Sequence, residues 1–324
     1  MKRSELVIAA FCFAVCLLVP LVVRADYNLQ VLFRVFLFAA MGLAWNLVGG
    51  YTGQLSLGHA AYFGAGAYAM ALLPPLGVPI WLSLVMGIVA AVAFAALIGG
   101  VSFRLRGPYF VLATIAFAEV LRLVAKNLPN VTGGDVGTQV PSLFTHAISR
   151  SFYLAAVVLT AAAFGITVWV SRSKFGYYLM AIREDEDTAL SVGVNTARVK
   201  LEALFLSAAI TALGGALYGS LFLFIVPDQV LSLDISNEIA IVAMLGGAGT
   251  VLGPILGAVV LETASEIFKS VFHEAHLLIY GLLLVVVVMF LPEGIVGTVN
   301  SWMRRRRAAL AAGARPQARR VSTP

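Results

Sequence analysis

The ionisable side chains singled out inside apolar runs are Arg34, His59, Glu119, Arg122, Glu262 and Glu266. A charge at the centre of a bilayer costs about 2.5–3.5 kcal/mol even on a lenient scale, so each such group needs a partner or a water-filled path. Glu119 and Arg122 are three residues apart, on one helix face, and can satisfy each other. Glu262 and Glu266 share a face with Lys269 and read as a solvated rim. His59, just after a glycine-rich break, is a candidate to line a path. The densest chemistry lies in residues 171–200, SRSKFGYYLMAIREDEDTALSVGVNTARVK, a long polar island. It carries Arg172, Lys174, Arg183, Arg198 and Lys200 around four consecutive acids, Glu184, Asp185, Glu186 and Asp187. A polar loop of this size between apolar runs needs something outside the bilayer to hold it, and a cytoplasmic protein is the expected partner. Within it, 185–191 reads as a short helix. Its acids suit the positive end of a helix dipole, Gly193 is its stop, and Asn195 is a turn signal. Ala181, Ile182, Ala189, Leu190 and Val192 would dock in a groove of that partner.

Catalytic constellations are missing from the sequence. There is no G-x-x-x-x-G-K-[ST] loop and no Gly-Lys dipeptide, so an ATP site is not expected in this chain. His273, Glu274, Ala275 and His276 lack the His-Glu-x-x-His spacing of a zinc protease, so this is read as an extracytoplasmic loop. Asn130, Val131 and Thr132 fit a glycosylation sequon that carries no weight without a secretory context. Cys12 and Cys16, one turn apart in an apolar run, are read as packing residues, not as a disulfide framework or metal site. No enzyme is expected.

The elements that position these groups follow from composition. Of 324 residues, 60% are hydrophobic and only 12% charged, with a mean hydropathy of +0.95. Soluble domains carry about 25% charged residues. Apolar stretches of about 17–25 residues match the length of a membrane-crossing helix, whereas barrel strands alternate over about ten. The expected fold is an all-α membrane protein. Spans are expected at 6–23, 29–48, 49–73, 80–101, 109–125, 152–170, 201–226, 235–250, 251–268 and 277–291. The first lacks a cleavage site before Arg24 and is read as a span, not a signal peptide. Residues 74–79 read as a tight turn, 126–151 as a loop and 227–234 as a short polar turn.

Sixteen of the 22 Lys and Arg residues fall in segments placed in the cytoplasm, including Arg104, Arg106 and Arg304 to Arg307. That bias puts both termini and the polar island inside. An even number of crossings must then separate the island from the tail, which splits 235–268 into two spans and makes about ten in all. Residues 1–303 form one transmembrane unit, and 304–324 a basic, disordered cytoplasmic tail able to meet anionic lipid. The net charge of +6 is a topology signal and does not point to nucleic acid. A weak internal echo relates LVGGYTGQLSLG to LGGAGTVLGPILG. Paired glycine-broken segments point to a translocation path in transporters, though such helices also simply pack closely. Gly49, Gly50, Gln54, His59, Gly246 and Gly247 are the path candidates.

Long motifs then carry a resemblance. GGYTGQLSLGHAAYFGAGAY, RLRGPYFVLATIAFAEVLR, FGYYLMAIREDEDTALSVGVNTARVKLEALFLSAAITALGGALYG, MLGGAGTVLGPILGA and IYGLLLVVVVMFLPEGIVG occur in order over residues 43–297. Together they resemble the LivM-type permeases of ABC importers for branched-chain amino acids. The resemblance implies a bacterial inner-membrane subunit paired with a LivH-like second permease. It also implies two ATP-binding subunits, which would hold ATP and magnesium, and a periplasmic or lipid-anchored amino-acid binding protein. Residues 184–195 match the family's coupling loop, so Arg183, Glu184, Asp185, Glu186, Asp187, Leu190, Gly193 and Asn195 become candidates to touch an ATPase. Leu291 stands where the family commonly has Arg, and the Arg-rich tail is not a family feature. Substrates of related permeases also include urea, other amides and aromatic acids. From the residues alone, a secondary transporter that needs no ATPase remains the rival.

Overall fold

The computed structural model describes residues 3–23, 25–103, 105, 107–146, 148–271, 281, 294–298 and 301. Lys2, Arg24, Arg104, Arg106, the 273–276 motif, the 277–291 run apart from Gly281, and the Arg-rich tail lie outside the described residues. Apolar runs fold as helix because lipid offers no partner to a bare backbone N–H or C=O. In chain order the helices are α1 (Arg3–Val22), α2 (Asp26–Trp45), α3 (His59–Leu72), α4 (Ile80–Ser102), α5 (Pro108–Lys126), α6 (Pro129–Thr132), α7 (Ile148–Arg172), α8 (Lys174–Glu184), α9 (Glu186–Ser191), α10 (Thr196–Phe222), α11 (Pro227–Val230), α12 (Leu233–Gly246) and α13 (Gly253–Val271). Among the described residues, six stretches are long and apolar enough to cross a membrane: Asp26–Gly50, Ile80–Ser102, Pro108–Lys126, Ile148–Arg172, Thr196–Phe222 and Pro227–Gly246.

The centre is built from α2, α3 and α10. Helix α10 packs on α3, α4, α2 and α7, while α2 packs on α7, α13 and α12. Phe33, Phe38, Trp45, Tyr62 and Phe63 are fully buried there. A Cβ on Gly66 would lie 1.9 Å from the Ala212 carbonyl oxygen, and one on Gly215 would lie 1.9 Å from that of Phe63. The backbones of α3 and α10 therefore touch. Close approach of small residues supplies the packing that the hydrophobic effect cannot supply between helices in lipid. Helices α4 and α5 turn Trp81, Leu97, Val101, Tyr109 and Leu112 outward, a surface matched to hydrocarbon.

Several boundaries differ from expectation. Residues 49–73 are not one span. A π-helical turn, Asn46–Gly50, closes α2, residues 51–58 are non-helical, and α3 has 14 residues. At about 1.5 Å per residue that helix is shorter than a ~30 Å hydrocarbon core. The break is held open by Trp45, whose Nε1 donates to the Ser56 carbonyl at 2.8 Å. Helix α10 begins at Thr196, five residues before the apolar run, because the Asn195 side chain accepts the Arg198 N–H at 3.1 Å. It stops at Phe222. Beyond it Phe224 and Ile225 form a two-residue strand, β2 (Phe224–Ile225), antiparallel to β1 (Thr138–Gln139). This ties the loop before α7 to the end of α10. The 235–268 region is two helices. A Cβ on Gly246 would lie 1.8 Å from the Gly253 carbonyl oxygen and one on Gly257 would lie 2.0 Å from that of Val242, so α12 and α13 run antiparallel in contact.

Candidate functional site

The two glycine breaks meet. Asn46, in the π-helical turn, donates from Nδ2 to the Thr250 carbonyl at 2.8 Å and accepts the Gly249 N–H on Oδ1 at 2.7 Å. One fully buried amide thus satisfies both a donor and an acceptor of the second break, which helical bonding there cannot reach. Thr250 closes the turn from the other side. Its hydroxyl donates to the Gly247 carbonyl at 2.7 Å and accepts the Gly253 N–H at 3.1 Å.

A third element arrives at this junction. Arg183, in the last turn of α8, donates from Nη1 to the Gly50 carbonyl at 2.7 Å. Gly249 has φ +82, and a Cβ there would lie 2.4 Å from the same Nη1 and 3.2 Å from the Gly50 oxygen. Gly53 packs against the Arg183 Cγ. The polar island is thereby in direct contact with both breaks through one guanidinium.

The island itself is two helices, α8 and α9. Ser173 opens α8 by accepting the Gly176 N–H at 3.2 Å, and Asp185 opens α9 by accepting the Thr188 N–H at 2.6 Å, the normal role of side-chain oxygens at helix starts. Glu186 accepts from Thr196 at 3.1 Å and from Lys200 Nζ at 2.5 Å. The Lys200 side chain is only 2% exposed and its Nζ also lies 5.7 Å from the Phe103 ring centroid. Of the eight expected partner-facing residues, Asp185, Glu186 and Asn195 fold the loop and Gly193 (φ +90) ends α9. Glu184, Asp187 and Leu190 are on its outer side. Of the expected docking residues, Ile182 and Ala189 turn inward, while Leu190 and Val192 are exposed. Tyr177, Tyr178 and Met180, which the sequence reading passes over, join them outside. A cleft lined by Phe175, Tyr178, Val192, Val194, Arg198 and Glu202 runs along this face.

The other singled-out residues are placed as follows. Gly49 lies against the Trp45 ring, and Gly246 and Gly247 lead into the second break. Gln54 lines a cleft with Leu55, Pro108 and Phe110. His59 is wholly buried, its Nε2 2.8 Å from the Ser207 hydroxyl of α10 and its ring edge-on to Tyr62. Glu119 and Arg122 do pair, with Arg122 Nε 2.9 Å from Glu119 Oε2. Asp228 extends the network, held by Arg122 and by Lys126 Nζ at 2.9 Å, which also meets Asp135. The rim expected at Glu262 is not there. Its side chain is 4% exposed and lies 3.4 Å from Arg34 Nη2, because α13 packs that face onto α2. Glu266, partly exposed, fits an outer position and accepts from the Tyr27 hydroxyl. Glu238, an acid in an apolar run that the sequence reading does not single out, is the second carboxylate on Arg34, at 3.8 Å.

A family model for the permease component of branched-chain amino acid transport systems matches residues 27–288. The high-affinity branched-chain amino acid permease protein LivM of Escherichia coli is 29% identical, over 89% of this chain and 74% of its own. LivM of Salmonella typhimurium is 30% identical over 80% of this chain and 68% of its own. LivH of Escherichia coli is 25% identical over 80% of this chain and 91% of its own. No solved structure matches the chain. With six helices among the described residues long and apolar enough to cross a membrane and a family match over most of its length, this multi-pass membrane protein belongs to the family of branched-chain amino acid transport permease components.

Proposed function

We propose that this permease subunit works in the bacterial inner membrane as part of an ATP-driven importer. It pairs with a LivH-like second permease. Leucine, isoleucine and valine arrive on a periplasmic or lipid-anchored binding protein. Two separate ATP-binding subunits supply the energy. About ten spans, with both termini cytoplasmic, make the permease, and the loop 171–200 rests on an ATPase subunit. In this reading Arg183, Glu184, Asp185, Glu186, Asp187, Leu190, Gly193 and Asn195 build or present the docking face, helped by Tyr177 and Met180. The breaks at Gly49 and Gly50 and at Gly246 and Gly247, with Gln54 and His59 nearby, shift between outward and inward openings.

The observation that supports the reading is Arg183. It belongs to the helix of the polar island, yet its guanidinium touches the backbone of both breaks. A movement imposed on α8 from the cytoplasm must displace that guanidinium, and with it the junction.

The test is purification of the chain from its native membrane in mild detergent, followed by an ATPase assay with leucine-loaded binding protein. A co-purifying ATPase stimulated by the loaded binding protein is expected. An ATPase indifferent to leucine moves the substrate to another amino acid, an amide or an aromatic acid. Uptake that follows an ion gradient and ignores ATP depletion overturns the importer reading.

A further inference from the structure

Arg34 of α2, Glu238 of α12 and Glu262 of α13 meet inside the helical bundle. Arg34 Nη2 lies 3.4 Å from Glu262 Oε2 and 3.8 Å from Glu238 Oε1. None is at a helix end. Arg34 is nine residues into α2, Glu238 six into α12 and Glu262 ten into α13. One guanidinium faces two carboxyl groups, and the Glu238 and Glu262 carboxyls also lie within hydrogen-bond reach of each other, so the cluster holds more acceptor oxygens than one guanidinium serves. Two atoms have no hydrogen-bond partner: Arg34 Nε, a donor, and Glu262 Oε1, an acceptor, both buried. Tyr218 and Glu266 also lie within electrostatic range of Arg34, and Lys269 within range of Glu238.

The cluster is closed on one side and open on the other. Glu262 is 4% exposed, whereas the Arg34 and Glu238 side chains keep 29% and 24% of their surface. Ionised groups at this depth face the bundle interior or a water-filled cavity, not lipid. With Glu262 already on the guanidinium, Glu238 stands as a second carboxyl group on the open side.

We propose that Arg34, Glu238 and Glu262 form a station for the head group of a zwitterionic amino acid in transit. The carboxylate of the ligand accepts from the Arg34 guanidinium, including the unmet Nε. Its ammonium donates to Glu262 Oε1 and Glu238. The ligand thereby supplies an acceptor and a donor where the protein lacks one of each. The second carboxylate biases the site toward ligands bearing an amine. The inference rests on the importer reading above and adds the residues that touch the substrate.

The test uses the complete transporter complex reconstituted in vesicles, with labelled leucine as the probe. Wild-type uptake comes first, and its absence counts against the importer reading itself. Glu262→Gln is then expected to lower leucine uptake at least tenfold, while the complex stays assembled and the loaded binding protein still stimulates the ATPase. Glu262→Asp should restore part of the rate. The neutral triple variant Arg34→Met, Glu238→Gln, Glu262→Gln decides between station and structural pair. Buried ion pairs replaced together by neutral side chains often cost nothing. Wild-type uptake in that variant overturns the proposal.

A second measurement does not depend on removing the whole cluster. Glu238→Cys, with Cys12 and Cys16 changed to Ala, is treated with a small water-soluble thiol reagent in the intact complex. Modification slowed several-fold by excess leucine, but not by 4-methylpentanoate, which lacks the amine, is the expected result. An unreactive thiol, or one modified at the same rate with and without leucine, overturns the proposal.

Discussion

The Arg183 guanidinium and the Gly50 carbonyl, 133 residues apart in sequence, are joined by a 2.7 Å hydrogen bond. It links a helix outside the apolar runs to the backbone of the first glycine break. A hydrogen bond to a charged group is worth about 1.5–3 kcal/mol, enough to shift a two-state equilibrium tenfold or more. Arg183→Met is therefore expected to leave assembly intact and to lower uptake per ATP hydrolysed about tenfold. Arg183→Lys keeps the charge but loses the flat guanidinium whose Nη1 lies between the Gly50 carbonyl and Gly249, so it should recover only part of the coupling. Parallel measurements of leucine uptake and ATPase rate in vesicles check this. Normal coupling in Arg183→Met removes the guanidinium from the transmission route.

Gly249 and Gly77 provide a controlled comparison. Both have a left-handed backbone, with φ +82 and +85. Around Gly77 a Cβ would meet nothing within 4 Å, whereas at Gly249 it would lie 2.4 Å from Arg183 Nη1. Gly77→Ala carries only the backbone strain of a left-handed non-glycine residue, about 1 kcal/mol. Gly249→Ala adds the clash and the loss of the junction. Thermal unfolding of the two purified variants, followed by size-exclusion profile, should place Gly249→Ala well below Gly77→Ala.

The long spans are legible in the sequence because hydropathy reports length and lipid exposure directly, and 80–101 and 109–125 agree with their helices to within a residue. The glycine echo is legible as a repeat of pattern. That the two breaks touch is not, because the link is Asn46, an ordinary-looking amide whose partners are more than 200 residues away. The polar island is half legible. The acids at 185–187 predict α9, but α8 is hidden because KFGYYLMAIRE mixes glycine and aromatics, and its start depends on the Ser173 cap. Lys200 reads as a cytoplasmic charge by composition alone. It is buried because Glu186, fourteen residues earlier, folds back to meet it. The Arg34 cluster is illegible for the same reason: three helices contribute one charge each.

The crossing of α3 and α10 predicts a sharp division among glycines. At Gly66 and Gly215 an added Cβ would sit 1.9 Å from a carbonyl oxygen of the facing helix, which is backbone and cannot move aside without parting the helices. At Gly100 and Gly165 it would meet nothing within 4 Å. Gly66→Ala and Gly215→Ala are expected to abolish accumulation of folded protein in the membrane. Gly100→Ala and Gly165→Ala should accumulate normally and, as helix-interior changes, gain up to about 1 kcal/mol of helix propensity. Membrane accumulation measured by a fluorescent fusion separates the two groups, and equal accumulation of all four removes the close crossing.

Lys200 and Glu186 allow the architecture of the polar island to be tested apart from any contact it makes. The Lys200 side chain is 2% exposed and that of Glu186 23%, so this is a largely buried pair. Removing one partner strands a charge and typically costs about 3–5 kcal/mol, whereas removing both with apolar or neutral replacements is often close to neutral. Lys200→Met is thus expected to loosen α9 and the start of α10, exposing the 184–196 segment to protease at several times the wild-type rate. Lys200→Met combined with Glu186→Gln should restore most of the resistance, although Thr196 loses part of its acceptor. If the loop served only as a tether, both variants would couple ATP hydrolysis to uptake as the wild type does. If its shape transmits force through Arg183, the single variant loses coupling in step with its loss of protease resistance, and the double variant regains both. Limited proteolysis and coupling ratios on the same preparations decide between these outcomes.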